Sequence, residues 1–329
     1  MSKIELMKEK PQIAVGGQAV IEGVMMRGPE HIATALRKKD GHIIIKKEEF
    51  ISKTKTNKFF GLPLIRGFVS LIEMLSIGIK TLNFSAEEAI KDEEENKPEK
   101  KKNVFFEKLY TAFSYIFAFG LAFLLFVFLP YRIAYWIDIE KTSLLFNLFA
   151  GGIRIVFFVL YVFLISLLKD VHRLFEYHGA EHKSVFAYEG NPEFTLDDTK
   201  NFRTFHPRCG TSFMLIVLVI AILVFSIFDT ILALILGHAI PLGIRILLHL
   251  LLLPLVSGMS YEILRFSGKN INHWLVKAFS APGLALQRIT TQEPDEKQLE
   301  VAICALHAAL GMPVTYPDVE YLDDDEPAE

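Results

Sequence analysis

The sequence has little cysteine and no recognisable secretory signal. Its 329 residues include two cysteines, Cys209 and Cys304, which are too few for a disulfide framework, so nothing requires an oxidising compartment. Residues 1–20 lack the continuous apolar stretch of a signal peptide. The net charge of −3 is uninformative, because the charged residues are segregated along the chain.

Charge is nearly absent from four long stretches of a chain that is 51% hydrophobic and contains 28 Phe. A helix needs roughly 20 apolar residues to cross a hydrocarbon core about 30 Å thick. The second stretch includes Arg154, and the fourth includes Arg245 near one end. The pattern predicts four transmembrane helices, at residues 109–131, 144–168, 211–236 and 242–263, which together form a membrane domain over 105–265.

Basic residues are distributed unevenly around these spans. Residues 1–108, the 169–208 connection and the segment after the fourth span are rich in Lys and Arg, whereas the short turns at 132–143 and 237–241 contain few or none. The positive-inside bias therefore predicts that both termini and the 169–208 loop are cytoplasmic. We expect the lipid bilayer as a partner and no nucleic acid, and the sequence leaves the oligomeric state open.

The N-terminal segment, residues 1–60, predicts a small cytoplasmic α/β region. Ile32–Lys38 and His42–Lys47 flank Asp40-Gly41, which is a β-hairpin signal. The glycine pair of IAVGGQAVIEGVMMRG is interpreted as part of a packed turn.

Residues 61–90 predict an amphipathic helix. Arg66, Glu73 and Lys80 are seven residues apart and fall on one helical face, while the remainder is mostly apolar. Such a helix can lie in the membrane interface or pack in the bundle with its charged stripe inward, and the sequence favours the interface. The charge run that follows, in residues 91–104, predicts a solvated linker.

The C-terminal segment, residues 266–329, predicts a cytoplasmic helix and a mobile acidic tail, DDDEPAE. Ala281-Pro282-Gly283 is expected to break the chain. Thr291 is expected to cap a helix that ends at Leu310, because Pro294 and the acidic residues after it suit a first turn.

The stretch HGAEH, residues 178–182, contains candidate metal ligands and a candidate catalytic base. His178 and His182 are four residues apart and share a helical face with apolar side chains. Downstream, His206 and Cys209 immediately precede the third span, so the loop is anchored at the same membrane plane at both ends. Neutral imidazole and thiolate suit Zn²⁺ and similar metals. We expect a divalent metal, Zn²⁺ in the first place, bound by His178 and His182, with His206, Cys209 or both completing the set.

The pattern His-x-x-Glu-His is also that of the inverted zincins, in which both histidines bind zinc and Glu181 acts as the base. If one of His206 and Cys209 binds, a water can occupy the fourth position and Glu181 can take its proton, which is the arrangement of a hydrolase. If both bind, the site is closed and structural. A hydrogen-bonded cluster without metal is the third interpretation.

Four motifs together resemble one family: GGQAVIEGVMMRGP, YHGAEHKSVFAYE, FHPRCGTSF and LQRITTQEPDEKQLEVAICAL. They are similar to the YqhQ family of bacterial membrane proteins over nearly the whole chain, from about Ile13 to Leu310. The resemblance implies a polytopic protein of the bacterial inner membrane. It also implies a metal-dependent enzyme, since the family is labelled so by prediction, but it implies no particular reaction.

Two other classes of function remain open. The bundle can be a non-enzymatic scaffold or an assistance factor for other membrane proteins, with a metal that staples the 169–209 loop. One feature is compatible with transport: Arg154 and Asp229 both fall inside spans. Charges there are costly and are usually paired or functional. A structural ion pair between Arg154 and Asp229 is the simpler expectation.

Overall fold

The computed structural model of the chain describes residues 15–94, 104–137, 144–207, 209–270 and 273–322. The strands of these ranges are β1 (Gly16–Val20), β2 (Gly23–Arg27), β3 (His31–Arg37), β4 (Ile43–Glu49) and β5 (Val319–Leu322). The helices are α1 (Lys53–Thr56), α2 (Ile65–Glu94), α3 (Val104–Phe123), α4 (Leu129–Trp136), α5 (Leu144–Ser166), α6 (Lys169–Gly190), α7 (Leu196–Lys200), α8 (Gly210–Leu236), α9 (Leu242–Lys269), α10 (Trp274–Thr290) and α11 (Glu296–Leu310).

Four helical segments within the described ranges are long and apolar enough to cross a membrane, as predicted. The first joins the end of α3 to α4 through a π-helical turn, Leu124–Phe128. The fourth extends past the predicted end. The segments are Ala112–Trp136, Leu144–Ser166, Gly210–Leu236 and Leu242–Ser267. Many of their large apolar side chains face outward, such as Phe119 at 74% exposure and Leu251 at 69%, which suits contact with lipid.

A five-stranded sheet lies beside the bundle, with its strands in sequence order. The first four strands are antiparallel, and β5 pairs parallel with β4. The predicted hairpin is confirmed as β3 and β4, since Arg37 pairs with Ile43. The predicted turn at the glycine pair is wrong: Gly16 and Gly17 lie in β1, and the chain reverses at Glu22, which has a φ of 54°.

One face of the sheet packs against α6 and α11 to form the main core. Leu299, Ile303 and Leu306 of α11 are at most 2% exposed. The predicted cap of this helix is wrong, because Asp295 and Gln298 form its capping box. Pro294 disfavours a helical conformation at the residue before it, so the new helix begins at Glu296, two residues after the proline, rather than directly after Thr291.

The predicted break at Ala281-Pro282-Gly283 is also wrong, because α10 continues through Pro282. A Cβ added to Gly283 would lie 2.7 Å from Cβ of Ser212 on α8. Close packing of two helices at a small residue stabilises α10 despite the backbone hydrogen bond that the proline removes.

The amphipathic helix is present as α2, and Arg66 and Glu73 of its charged stripe face the protein, whereas Lys80 is exposed. Arg66 pairs with Glu262 of α9 at 2.5 Å. Glu73 is 8% exposed and accepts hydrogen bonds from Ser52 and the backbone of Lys53. The helix continues to Glu94, so it includes the start of the predicted linker, while residues 95–103 and the acidic tail lie outside the described residues.

The predicted ion pair between Arg154 and Asp229 is wrong. Asp229 is 3% exposed and pairs with Arg245 at 2.5 Å and with His249 at 2.9 Å. Arg245 and His249 lie one turn apart at the start of α9, directly across from Asp229. Arg154 instead donates to the carbonyl of Phe126, 3.0 Å away, which lies in the π-helical turn.

Candidate metal centre

Helix α6 carries the two histidines of HGAEH into the protein interior. It begins just after the second span, and its C-terminal half packs between the sheet and α11. His182 is 2% exposed, and the ring centroids of His178 and His182 are 4.5 Å apart. The shared face that the i, i+4 spacing predicts is therefore real.

Backbone carbonyls orient both imidazoles. Nδ1 of His178 lies 2.7 Å from the carbonyl oxygen of Thr290 at the end of α10, and Nδ1 of His182 contacts the carbonyl of Thr204. A carbonyl only accepts hydrogen bonds, so each Nδ1 carries the proton and each neutral ring presents an Nε2 lone pair. This arrangement is typical of histidines that bind a metal.

Cys209 completes a group of three potential ligands. It is the N-cap of α8, and its Sγ lies 3.2 Å from Nε2 of His178. One ligand atom from each of His178, His182 and Cys209 lies within 4.8 Å of the other two. Nε2 of His182 is buried and has no hydrogen-bond partner among the described residues. The N-terminus of α8 also favours negative charge on a ligand atom.

Glu181 lies beside this group in a dry environment. Its carboxylate Oε2 is 3.5 Å from Nε2 of His182 and 4.0 Å from Nε2 of His178. The side chain is buried, and the backbone N–H of Gly17 donates to it. Burial raises the pKa of Glu181 and lowers that of His182. Without a cation, the groups therefore favour their neutral forms, and neutral imidazole is the form that binds metals.

His206, the remaining predicted ligand, does not join the group. Gln287 accepts from its backbone N–H and donates to its carbonyl, each at 2.8 Å. The ring packs on Phe186 with centroids 4.4 Å apart, and its Nε2 is 3.7 Å from a carboxylate oxygen of Glu189. Burial lowers the pKa of His206. The structure thus brings three of the four predicted ligands together.

Sequence reasoning missed the groups that support the site. The carbonyls of Thr204 and Thr290 carry no side-chain signal. Gln287 is fully buried and also donates to Ser212, which links α10 to α8. Among the groups that support the site, only the glycine pair could be noticed in the sequence. Its contact with Glu181 depends on the packing of β1 against α6.

Polar neighbours of HGAEH that had no assigned role make structural contacts. Lys183 is 2% exposed and donates to the carbonyl of Lys200 at 3.1 Å. Tyr177 donates to Glu22 at 3.3 Å. Glu176 accepts from Gln298 on α11 at 2.8 Å. These contacts fix α6 against the sheet and α11.

Gly17 should be far less tolerant of a side chain than its neighbour Gly16. A Cβ at Gly17 would lie 2.5 Å from the carbonyl oxygen of Met25 and 2.9 Å from Cγ of Glu181, whereas a Cβ at Gly16 would meet nothing within 4 Å. Overpacking of this kind costs about 1–3 kcal/mol. We expect Gly17→Ala to lower the melting temperature of the purified protein and Gly16→Ala to leave it nearly unchanged. Equal effects of the two changes would show that β1 does not sit on Glu181 in this way.

These features define a mostly helical protein with four candidate membrane spans, in which a buried His/His/Cys donor group lies beside the start of the third of these helices. The chain belongs to the family described as "Protein of unknown function (DUF1385)", whose family model matches residues 62–312. It is 33% identical over 315 residues to "Uncharacterized protein YqhQ" of Bacillus subtilis (strain 168), an alignment that covers 93% of this chain and 95% of that protein. The resemblance to the YqhQ family is confirmed. No solved structure matches the chain.

Proposed function

We propose that the protein is a membrane-bound, metal-dependent hydrolase whose metal ligands are His178, His182 and Cys209. The observation that carries the proposal is the environment of Nε2 of His182. This buried atom has no hydrogen-bond partner among the described residues and lies beside the thiol of Cys209 and the carboxyl of Glu181. A buried imidazole nitrogen without a partner is unfavourable, and a bound cation would satisfy it.

The donor set fits a divalent metal, with Zn²⁺ as the first candidate. Zinc binds imidazole nitrogen at about 2.0–2.1 Å and thiolate sulfur at about 2.3 Å, so neighbouring ligands lie roughly 3.5 Å apart. Nε2 of His178 and Sγ of Cys209 are 3.2 Å apart. Three protein ligands with a fourth position open is the pattern of catalytic zinc, whereas four protein ligands is the structural pattern.

Glu181 is the proposed general base. A divalent ion supplies Lewis acidity at this position. The carboxylate of Glu181 lies within 4.0 Å of both Nε2 atoms, where it can accept a proton from an attacking water. Burial raises the pKa of Glu181 toward the range in which a carboxylate is an efficient base near neutral pH. Cys209 directly precedes a span, so the proposed substrate is an amide or ester of a membrane protein or lipid.

Glu181→Gln separates catalysis from metal binding. The change keeps the size of the side chain and removes its basicity, so we expect metal content near that of the wild type. Loss of one essential proton-transfer group should lower the rate about 10²- to 10⁴-fold, and the variant should fail to complement a strain that lacks the gene. Glu193→Gln, at an exposed glutamate in the turn after α6, is the control and should complement fully.

A structural metal in a scaffold or assistance factor is the second candidate. One observation favours it: Glu181, His182 and Cys209 are all at most 6% exposed, and a closed site suits a metal that staples α6 to α8 and α10. Full complementation by Glu181→Gln, with metal retained, would reject the hydrolase and support the scaffold.

We also propose that the protein lies in the bacterial inner membrane with both termini and the 169–208 loop in the cytoplasm. The support is the excess of Lys and Arg on that side of the spans. A cysteine at Glu193 should resist a membrane-impermeant thiol reagent in intact cells, and one at His238, in the exposed turn between α8 and α9, should react. Both native cysteines are buried, so background labelling should be low. The opposite pattern would invert the topology.

A further inference from the structure

We propose that the segment before α2 and the first turns of α2 insert into the lipid leaflet at the Ser267 end of α9, as a fifth, re-entrant membrane element. This inference is independent of the proposed metal chemistry. Its occupant is lipid: acyl chains against Phe59, Leu62 and Leu64, and anionic headgroups beside the lysines of α1.

The amphipathicity of α2 is reversed relative to a helix of a water-soluble protein. The side that packs on the protein carries small and polar residues, and the outward side carries a stripe of large apolar ones beside the exposed Ser76, Lys80 and Asn83. The buried residues include Gly67, Glu73, Gly78, Thr81 and Ser85. The outward residues are Ile72, Leu75, Ile79 and Leu82, which are 51%, 52%, 60% and 40% exposed. Their spacing of three and four residues places them in one continuous stripe, and such a stripe marks an interaction surface.

The contact with α9 sets the depth of the start of α2. A Cβ on Gly67 would lie 2.8 Å from Cα of Gly258, and a Cβ on Gly258 would lie 2.5 Å from the carbonyl oxygen of Leu64. Small residues that let two backbones approach this closely are typical of helix contacts within membranes. Farther along α2, the carbonyl of Gly78 accepts from Gln18 and the hydroxyl of Ser85 accepts from the N–H of Ile21. The sheet lies at the end of the bundle where α8 begins and α9 ends, so α2 runs toward the Ser267 end of α9.

The position of Gly258 translates into a depth below the membrane surface. The span Leu242–Ser267 has 26 residues, or about 39 Å at 1.5 Å per residue, which exceeds a core about 30 Å thick by about 4–5 Å at each end. Gly258 precedes Ser267 by about nine residues, or about 13 Å. It therefore lies about 9 Å inside the hydrocarbon, and the start of α2 lies beside it.

The segment before α2 has the composition that this depth requires. Phe59, Leu62 and Leu64 are 60%, 47% and 39% exposed, which would be unfavourable in water and is favourable among acyl chains. Backbone polar groups at this depth need partners within the protein, and the N–H groups of Arg66 and Gly67 donate to Leu62 and Leu64.

Lysines lie where the headgroups are expected. Ser52 and the N–H of Lys53 both bond Glu73 at 2.7 Å, which fixes α1 beside a residue about 13 Å along the helix from Leu64. That distance places α1 about 4 Å outside the hydrocarbon. Its Lys53 and Lys55, and the following Lys58, are exposed, and each basic residue near an anionic surface adds about 1 kcal/mol of attraction. This charge and the continuity with the lipid-facing side of α9 favour lipid over a protein partner.

Quenching of single tryptophans by lipid tests the proposal in the full-length protein. Trp136 and Trp274 are replaced by Phe, and tryptophan is introduced as Phe59→Trp or Leu62→Trp. Leu251→Trp, in the middle of a span, is the lipid reference. Lys39→Trp is the aqueous reference, because Lys39 contacts Asp92, 20 residues or about 30 Å beyond Ile72 along α2. Each variant is reconstituted into vesicles with or without brominated acyl chains, and iodide is the aqueous quencher.

Brominated lipid should lower the emission of Phe59→Trp and Leu62→Trp by a fraction comparable with that of Leu251→Trp, and iodide should have little effect. Emission of Lys39→Trp should show the reverse. If iodide quenches Phe59→Trp and Leu62→Trp as it quenches Lys39→Trp, the segment before α2 faces water and the proposal fails. If neither agent quenches them, a second copy or a protein partner covers the segment, and the proposal also fails.

Discussion

His182→Ala and Cys209→Ala should each abolish metal binding by the protein purified without chelator. Each change removes one of three converging ligands, which leaves two of the three protein ligands that a catalytic zinc site uses. Cys304→Ala is the matched control, because Cys304 is the other buried cysteine and lies in the α11 core. Elemental analysis should find metal in the wild type and in Cys304→Ala, and none in the two ligand variants.

Thermal unfolding gives the same comparison a second readout. A ligand that binds only the folded state stabilises it by about 2.7 kcal/mol at a free concentration of 100 times its Kd. Added Zn²⁺ should therefore raise the melting temperature of the wild type and leave that of His182→Ala unchanged. His206→Gln should keep its metal, because His206 lies outside the ligand group. Metal-free wild-type protein, or metal retained by His182→Ala, would remove the proposed centre altogether.

Breaking the ion pair between Arg245 and Asp229 should strongly lower the stability and expression of the protein. Arg245→Met or Asp229→Leu alone leaves an uncompensated charge in a low-dielectric environment, which costs about 3–5 kcal/mol. The double variant removes both charges and should recover much of the stability and expression. Arg154→Met combined with Asp229→Leu is the control and should show no recovery, because Arg154 bonds the Phe126 carbonyl instead. If Arg154→Met with Asp229→Leu recovered stability and Arg245→Met with Asp229→Leu did not, the ion pair between Arg154 and Asp229 that the sequence predicted would be correct.

Errors in the sequence-based predictions share a physical cause. Arg154 and Asp229 were paired because both fall inside spans, but that position does not report which helix face meets which neighbour. Arg245 was visible only as a charge near the end of a span, although its position one turn before His249 brings both side chains to Asp229. Similarly, Pro282 reads as a helix breaker because local propensity does not include the contact between Gly283 and Ser212.

The sequence alone determined what depends on composition and short spacing. Runs without charge specify four spans because lipid excludes charged side chains over a fixed thickness. Asp40-Gly41 specifies a hairpin through its turn geometry, and the separation of His178 and His182 places them on one face because a helix turns every 3.6 residues. Cys209 could be named as a third ligand because it directly precedes a span that begins at the same membrane plane.

Tertiary structure decided everything that depends on contacts between distant segments. It placed β1 on Glu181, so that Gly17 supplies an N–H there, and it oriented both imidazoles through the carbonyls of Thr204 and Thr290. It also kept the His206 ring out of the group formed by His178, His182 and Cys209, although the N–H of Cys209 donates to the His206 carbonyl, because Gln287 holds His206 by its backbone. Backbone groups are the same in every residue, so no sequence pattern records which carbonyl or N–H will meet a distant side chain.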